Sequence, residues 1–189
     1  MRILTLPITP ELSGQTVRHL LRQELSLSSS LMKSLKWREG TILLNGSPVT
    51  VRAVAREGDV LTADVSDPPA KSPVVPVDYP LDILWEDEDL LILNKPAGIT
   101  VHSAALTEET VTVAGAVAHY LGCGTFHPVN RLDRGVTGVM VVAKNGYMHQ
   151  RCMAILHTGD FRREYRGICD GVPQPPAGTI DLPISRQPG

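Results

Sequence analysis

Aromatic residues, cysteines and long hydrophobic runs are all scarce in this chain. Two Phe, two Trp and four Tyr among 189 residues mean that aliphatic side chains must fill the core. The three cysteines are an odd number with no close pairing, which indicates reduced thiols rather than disulfides. No stretch of about twenty apolar residues exists, so the sequence predicts no membrane span. The N-terminus has no apolar core for a signal peptide, and we therefore expect a cytoplasmic protein.

The sequence also lacks the motifs that bind metals and cofactors. No C-x-x-C or histidine-rich spacing indicates zinc, and no nucleotide or flavin motif is present. No internal repeat is visible, which excludes solenoid architectures. The sequence patterns therefore indicate no metal or cofactor site.

The net charge of −2 hides an uneven distribution of charge along the chain. Residues 78–110 hold eight acidic residues against one basic residue, Lys95. Residues 127–166 hold seven Lys and Arg against three acidic residues. Because a locally basic surface can hold a phosphate backbone even on a slightly acidic chain, the second segment is a candidate nucleic-acid surface.

Residues 14–65 are patterned as one small unit of two helices and a sheet. Apolar spacing predicts a first helix over residues 16–22. A capping serine at position 28 or 29 predicts a second helix from Ser30 to about Trp37, which Gly40 ends. Asn45-Gly46 between apolar runs predicts a hairpin, and residues 58–65 alternate as a strand does.

Residues 66–80 contain five prolines, which exclude a regular helix and favour an extended connector. We place a domain boundary there, which divides the chain into residues 1–65, 66–80 and 81–189. Beyond the connector, apolar patterns predict four strands and two helices. The strands are predicted at residues 81–85, 90–94, 139–143 and 164–171, and the helices at residues 110–121 and 145–156.

Residues 130–138, with the sequence NRLDRGVTG, hold the most informative charge pattern. Asp133 lies between Arg131 and Arg134, and opposite charges within a few ångströms should keep its carboxylate ionised. An ionised, positioned carboxylate can act as a nucleophile or a base. Taken alone, the pattern fits a solvated surface ion pair better, so the neighbouring segments decide between the two interpretations.

Three further segments accompany this motif in a fixed order. They are residues 91–102 (LILNKPAGITVH), residues 139–144 (VMVVAK) and residues 161–167 (FRREYRG). In this order and spacing, the chain resembles the RluA-type RNA pseudouridine synthases, the family that contains the large-subunit ribosomal RNA enzymes. The family motif is usually written H-R-L-D-x-x-T-S-G, so Asn130 stands here in place of the histidine.

The resemblance implies that Asp133 is the catalytic aspartate, with Arg131 and Tyr165 beside it. Such synthases detach uracil from its ribose, turn the base and rejoin it through carbon five, which needs no cofactor. Asp133 would attack the base or the ribose, or support the separated sugar electrostatically. Arg131 would pair with this carboxylate, and Tyr165 would stack on the base and accept the proton from carbon five. The alternative for Tyr165 is an aromatic side chain packed in the core.

Two helices followed by L-N-G-x-x-V and G-D-V-L resemble the RNA-binding module named for the fourth small-subunit ribosomal protein. The two resemblances imply RNA contacts by seven basic residues: Arg18, Arg22, Lys33, Lys36, Arg38, Lys95 and Arg134. A solvated helix face is the alternative for the two lysines of the second helix, and the loop from Lys95 is expected mainly to shape a turn. Trp37 is a candidate for stacking on a base, but its place beside apolar residues favours core packing.

We therefore expect an α+β protein, with a small α/β RNA-binding module followed by part of a synthase domain on a mostly antiparallel mixed sheet. The expected partner of this monomer is structured RNA, with large-subunit ribosomal RNA ahead of transfer RNA. Family members continue past residue 184 with a T-G-R-T-H-Q-like segment, so we expect a C-terminally truncated chain. The alternatives are a non-catalytic RNA-binding protein or inactive fragment, and, more distantly, a hydrolase using Asp133. The hydrolase would lack the usual G-x-S-x-G elbow.

Overall fold

The protein folds around two four-stranded antiparallel sheets that follow one another in the chain. A computed structural model describes residues 1–70, 72, 74–102, 111–156, 158–183 and 185. Its strands are β1 (Ile3–Pro7), β2 (Ile42–Leu44), β3 (Ser47–Pro48), β4 (Val60–Asp64), β5 (Ile83–Glu86), β6 (Leu90–Lys95), β7 (His127–Pro128) and β8 (Gly138–Ala143). Its α-helices are α1 (Val17–Gln23), α2 (Ser29–Lys36), α3 (Val113–Leu121) and α4 (Gly146–Ile155). The predicted α+β class with antiparallel sheets is confirmed.

The first sheet has the order β1-β4-β2-β3 and carries α1 and α2. The side chain of Thr16 accepts a hydrogen bond from the amide of His19 and begins α1, and that of Ser28 accepts one from Leu31 and begins α2. Asn45 and Gly46 both have positive φ, as a two-residue type I′ hairpin requires. The two helices and the hairpin predicted for residues 14–65 are therefore confirmed, whereas β1, the edge strand, was not predicted.

The core of this half is aliphatic, as the shortage of aromatic residues predicted. Both helices bury one apolar face against the sheet and the turns that connect its strands. The members of this core include Val17, Leu20, Leu21, Met32, Leu35, Leu61 and Ala63. Trp37, for which core packing was favoured, is not among them: its side chain is 83% exposed, so that interpretation is wrong.

The second sheet has the order β5-β6-β8-β7 and buries its apolar face against α3. The pair β6–β8 forms its centre, with Leu91 opposite Val142 and Leu93 opposite Met140. Helix α3 begins at Val113 after Thr112, whose side chain accepts from the amide of Gly115, and it ends at Gly122 in the left-handed conformation. The first residue of the predicted helix, at position 110, lies outside the described residues.

The proline-rich connector has no helix or strand at any of its described residues, but it is packed rather than free. The amide of Val74 donates to the carbonyl of Gly124, and that of Val77 donates to the carbonyl of Gly115. Asp67 receives the amide of Gly146 at 2.9 Å and lies 2.7 Å from the His127 ring. The connector therefore runs along α3 and reaches the start of α4.

Contacts outside the connector also join the two halves. The guanidinium of Arg2, in front of β1, makes two hydrogen bonds to the carboxylate of Asp89 at 2.9 Å, and Asp89 also accepts from Asn145. Tyr147 of α4 is buried in the first core and donates to the carbonyl of Leu25 at 3.0 Å. These contacts form a shared interface; the domain boundary itself stays a prediction.

The strand predicted for residues 164–171 is wrong. Residues 162–169 have no regular secondary structure, and the segment from residue 162 to residue 183 is exposed throughout. An extended segment needs a neighbouring edge to satisfy its backbone amides and carbonyls. No described strand provides one here, and the apolar alternation of this segment is too weak to bury a face.

Gly115 is the position where the connector comes closest to α3. A Cβ atom added to this glycine would lie 3.0 Å from the carbonyl oxygen of Val75 and 3.0 Å from a methyl group of Val77. Both contacts are tighter than ordinary van der Waals packing, and one of them involves backbone. The absence of a side chain at Gly115 therefore allows the connector to pack on the helix.

We predict that Gly115→Ala destabilises the protein, although alanine favours helix more than glycine does. Forcing one methyl group into a packed interface costs about 1–3 kcal/mol, against a helix propensity gain of about 1 kcal/mol at most. Urea unfolding monitored by circular dichroism measures the difference. The matched control is Gly159→Ala, because nothing lies within 4 Å of its added Cβ. A Gly115→Ala variant at least as stable as the control would contradict the close packing.

Candidate active site

The sheet topology brings two of the sequence motifs together at one end of β6 and β8. These strands are antiparallel, so the last residue of β6, Lys95, pairs with the first residue of β8, Gly138. The turn at residues 96–98 that follows β6 therefore lies beside residues 130–137 that lead into β8. The amide of Gly98 donates to the carbonyl of Arg134 at 2.9 Å, and the Arg134 Nε donates back to the carbonyl of Gly98 at 3.0 Å.

The ammonium group of Lys95 is buried at this junction. Lys95 has no exposed surface, and its Nζ donates to the carbonyl oxygens of Pro96 at 2.8 Å, Val136 at 3.0 Å and Arg134 at 3.4 Å. Burial lowers the pKa of Lys95, and the negative charge of Asp133 opposes that shift. One cation thus ties the turn after β6 to the loop that carries Asp133.

This burial corrects the role predicted for Lys95. A lysine that contacts RNA phosphate must offer its ammonium to solvent, whereas this one is sealed inside and bonded to three carbonyls. Strand alternation contains the signal that was missed, because Leu91, Leu93 and Lys95 lie on the same face of β6. The predicted strand stopped at residue 94, one residue short of the side chain that holds the loop.

Asp133 itself is exposed, as are Arg131 and Arg134. The expected pairing of this carboxylate with Arg131 is not seen, since the described residues include no ion pair between them. Arg131 lies near His102 instead. Burial of His102 is the main cause that lowers the pKa of this histidine, and the positive charge of Arg131 lowers it further. The negative charge of Asp133 acts instead on the buried ammonium of Lys95, 38 residues away in the sequence, without forming an ion pair with it among the described contacts.

Backbone and side-chain bonds hold the Asp133 loop on both of its sides. The amide of Val136 donates to the carbonyl of Asp133 at 3.1 Å and closes a turn. Asn130 donates from its side-chain amide to the carbonyl of Val139 and accepts from the amide of Val141 at 2.8 Å. Asn130 occupies the position at which the family motif usually has a histidine. Its side chain bonds the backbone of β8 next to the residues that pair with β7. Leu132 is buried and anchors the centre of the loop.

Tyr165 lines a cavity with residues on either side of Asp133, whereas Asp133 and Arg131 are not among its lining residues. This cavity of about 650 Å³ is bounded by Leu132, by residues 135–139 and by residues 161–166. Tyr165 is 65% exposed, so the alternative of a core aromatic does not apply. The structure brings Tyr165 to the wall of a cavity beside the loop, although the predicted strand that was to carry it is absent.

The remaining residues predicted to bind RNA lie in the first half of the chain. Arg18 and Arg22 on α1 and Lys33 and Lys36 on α2 are exposed, as RNA contacts require. Arg38 differs from them, because it donates to the carbonyl of Ser66 at 2.7 Å and forms an ion pair with Asp64. Its guanidinium therefore has intramolecular partners and joins α2 to the start of the connector.

None of the helices placed by the structure is long and apolar enough to cross a membrane. Among the residues it describes, no group of three or more His, Cys, Asp or Glu side chains is arranged to hold a metal ion.

Comparison with known proteins identifies the family. The family model for RNA pseudouridylate synthases matches residues 89–188, a segment that contains the buried Lys95, the Asp133 loop and Tyr165. The chain belongs to this family. The resemblance drawn from the sequence motifs is thereby confirmed, whereas the ribosomal-protein-like RNA-binding module stays a prediction.

Several curated members of the family are similar to much of the chain. The uncharacterized RNA pseudouridine synthase YjbO of Bacillus subtilis is 33% identical over 168 residues, covering 87% of this chain and 59% of that protein. YlyB of the same organism is 34% identical, with 79% of this chain and 51% of that protein covered. Ribosomal large subunit pseudouridine synthase D of Escherichia coli is 41% identical, with 60% of this chain and 35% of that protein covered. The chain spans about half the length of the first two relatives.

We predict that Lys95→Met destabilises this synthase-family chain and loosens the Asp133 loop. Methionine fills a similar volume but donates no hydrogen bond, and each buried acceptor left without a donor costs about 1–3 kcal/mol. The free energy of unfolding should therefore fall by about 2 kcal/mol or more. Native-state hydrogen exchange at the amides of Gly98 and Val136 should accelerate.

The matched control is Lys33→Met, which removes a lysine from an exposed helix position. Its stability should change by less than about 0.5 kcal/mol. Unchanged stability and unchanged exchange in Lys95→Met would show that the buried ammonium does not hold the loop.

Proposed function

We propose that this chain isomerises uridines in structured RNA to pseudouridine, with Asp133 as the catalytic carboxylate. Membership of the RNA pseudouridylate synthase family over residues 89–188 is the observation that carries the proposal. Asp133 lies in an exposed loop whose backbone is fixed by a buried cation, so the carboxylate is presented to solvent from a rigid support. A positioned, ionised group is what nucleophilic or electrostatic catalysis requires.

The reaction changes the connectivity of the nucleoside but not its composition, so no group has to be carried away. The N1–C1′ bond breaks, uracil turns, and a C5–C1′ bond forms; the hydrogen of carbon five is released as a proton, and N1 gains a proton from solvent. Asp133 either attacks the nucleoside or stabilises the separated sugar. Tyr165, on the wall of the adjoining cavity, stacks on the base and accepts the proton. Arg131 and Arg134, both exposed beside Asp133, bind the phosphates that flank the extruded nucleotide.

The proposed substrate is large-subunit ribosomal RNA, ahead of transfer RNA. The support is the name of the Escherichia coli relative, a ribosomal large subunit pseudouridine synthase. Residues 1–65 would form the RNA-binding module, with the exposed Arg18, Arg22, Lys33 and Lys36 as its phosphate contacts. A location in the cytoplasm and a monomeric state stay predictions.

One observation favours a second candidate function, a non-catalytic RNA-binding protein. Tyr165 and the residues that follow it to position 183 are exposed and have no strand partner among the described residues. A tyrosine held this loosely is poorly preorganised for stacking or proton transfer. The same basic surfaces would bind RNA without converting its uridines.

We predict that the protein releases tritium from ribosomal RNA labelled at carbon five of uridine, and that Asp133→Asn abolishes the release. The rate should fall by at least about 10²-fold, since a positioned catalytic group contributes about 10²–10⁴-fold. The matched control is Asp170→Asn, which neutralises an exposed carboxylate outside the site. Release should be measured with the 189-residue chain and with any longer natural product that contains it.

The outcomes separate the two candidate functions. Release that depends on Asp133 supports the isomerase. RNA binding without release from either form of the protein favours the non-catalytic alternative. Full release by Asp133→Asn would assign catalysis to another residue.

A further inference from the structure

Trp37 is the most exposed aromatic side chain in the part of the chain that the structure describes, with 83% of its surface accessible. It forms the C-cap of α2, and its backbone keeps the helical conformation there. Burying a tryptophan is strongly favourable, so an indole left on the surface forgoes a large hydrophobic gain. The proposed catalytic residues do not include it.

The helix geometry places Trp37 beside cations and away from the core. At 3.6 residues per turn, Lys33 and Trp37 point about 40° apart, whereas the buried Leu35 points about 160° away from Trp37. Lys33 and Lys36 are both exposed. Within the described residues, neither lysine has an ion pair, so both charges remain available to an external anion.

A groove of about 350 Å³ lies next to Trp37. It is lined by Lys36, Arg38 and Glu39 and has apolar walls that include Leu35 and Val51. Because the guanidinium of Arg38 is bonded to Ser66 and Asp64, Lys36 is the cation that this groove offers to a ligand. Residues 29–40 contain three basic residues and one acidic residue, Glu39. The combination of an aromatic face, cations and a groove complements an unpaired base with its phosphates.

We propose that Trp37 is a stacking platform for an unpaired RNA base, with Lys33 and Lys36 binding the adjacent phosphates. The inference rests on the proposed RNA substrate and adds a requirement to it. The substrate must present an unstacked nucleotide at α2, in addition to the uridine that is converted. Duplex RNA hides the faces of its bases and would engage only the lysines.

Tryptophan fluorescence tests the platform directly, because the chain has only two tryptophans, Trp37 and Trp85. In a Trp85→Phe variant, all indole emission comes from Trp37. Titration with single-stranded oligouridylate should quench this emission saturably, whereas a blunt RNA duplex of equal length should quench it far less. The reciprocal Trp37→Phe variant keeps an aromatic ring and should bind the oligonucleotide without quenching of Trp85.

Binding measured by anisotropy of labelled oligouridylate completes the test. Trp37→Ala should weaken binding on the order of 5- to 150-fold, the range expected for the loss of one stacked base, and Trp37→Phe should restore most of it. Unquenched Trp37 at saturating RNA would overturn the proposal. So would equal affinity of the alanine and parent proteins, or no binding of oligouridylate by the parent.

Tritium release distinguishes this inference from the function on which it rests. If Trp85→Phe releases tritium from labelled ribosomal RNA but oligouridylate leaves Trp37 unquenched, the platform is wrong and the isomerase stands. If Trp37 is quenched and no tritium is released by this chain or by a longer natural product that contains it, the platform stands and the isomerase is wrong. Asp133→Asn in the Trp85→Phe background should lose release and keep the quenching.

Discussion

The hydrogen bonding of one buried cation, Lys95, is the constraint on which the candidate site depends. An ammonium group out of water is costly unless acceptors surround it. Here the carbonyls of Pro96, Arg134 and Val136 provide them, and those carbonyls belong to two separate segments of the chain. Neither segment can move away without leaving a buried charge or a buried acceptor unpaired. These bonds fix the backbone of the Asp133 loop on its buried side, while the carboxylate of Asp133 stays exposed to solvent.

A second constraint positions the first half of the chain against the second. Asp67, in the connector, accepts hydrogen bonds from the amide of Gly146 and from Thr125, and it pairs with His127. Burial alone would raise the pKa of this carboxyl. The hydrogen bonds from His127 and Gly146 outweigh burial, so the pKa lies below its ordinary value. An ionised Asp67 is therefore part of the interface. The proline-rich segment contributes to the fold as well as joining its halves, so the proposed RNA-binding surface and the Asp133 loop belong to one connected structure.

Local signals in the sequence were enough to predict the helices and the hairpin. Capping side chains, helical apolar spacing and the Asn-Gly turn act over a few residues, and they correctly predicted α1, α2, α4 and the hairpin. Strands β1 and β7 were missed because each is stabilised by pairing with a residue distant in the sequence. The strand predicted at residues 164–171 is absent because a segment with a strand-like sequence forms no sheet unless a neighbouring strand pairs with it.

The site residues show the same division between local and distant causes. The motif order identified the Asp133 loop, the Lys95 turn and Tyr165 as parts of one candidate site, but it could not give side-chain directions. Arg131 forms no described ion pair with Asp133, and its charge acts on His102, while the charge of Asp133 acts on Lys95 at the end of β6. Trp37 was misjudged because a large aromatic side chain at the end of an amphipathic helix was expected to be buried, whereas its immediate neighbours are Lys36 and Arg38 and its angle on α2 places it beside Lys33.

The central claim is that the loop held by Lys95 presents a carboxylate that isomerises uridine in ribosomal RNA. Pseudouridine mapping of large-subunit ribosomal RNA tests it most directly, in cells that lack the gene and carry either the intact gene or its Asp133→Asn form. The account predicts that defined pseudouridines disappear on deletion and return with the intact gene but not with Asp133→Asn. An unchanged map after deletion, or full restoration by the asparagine variant, would contradict it.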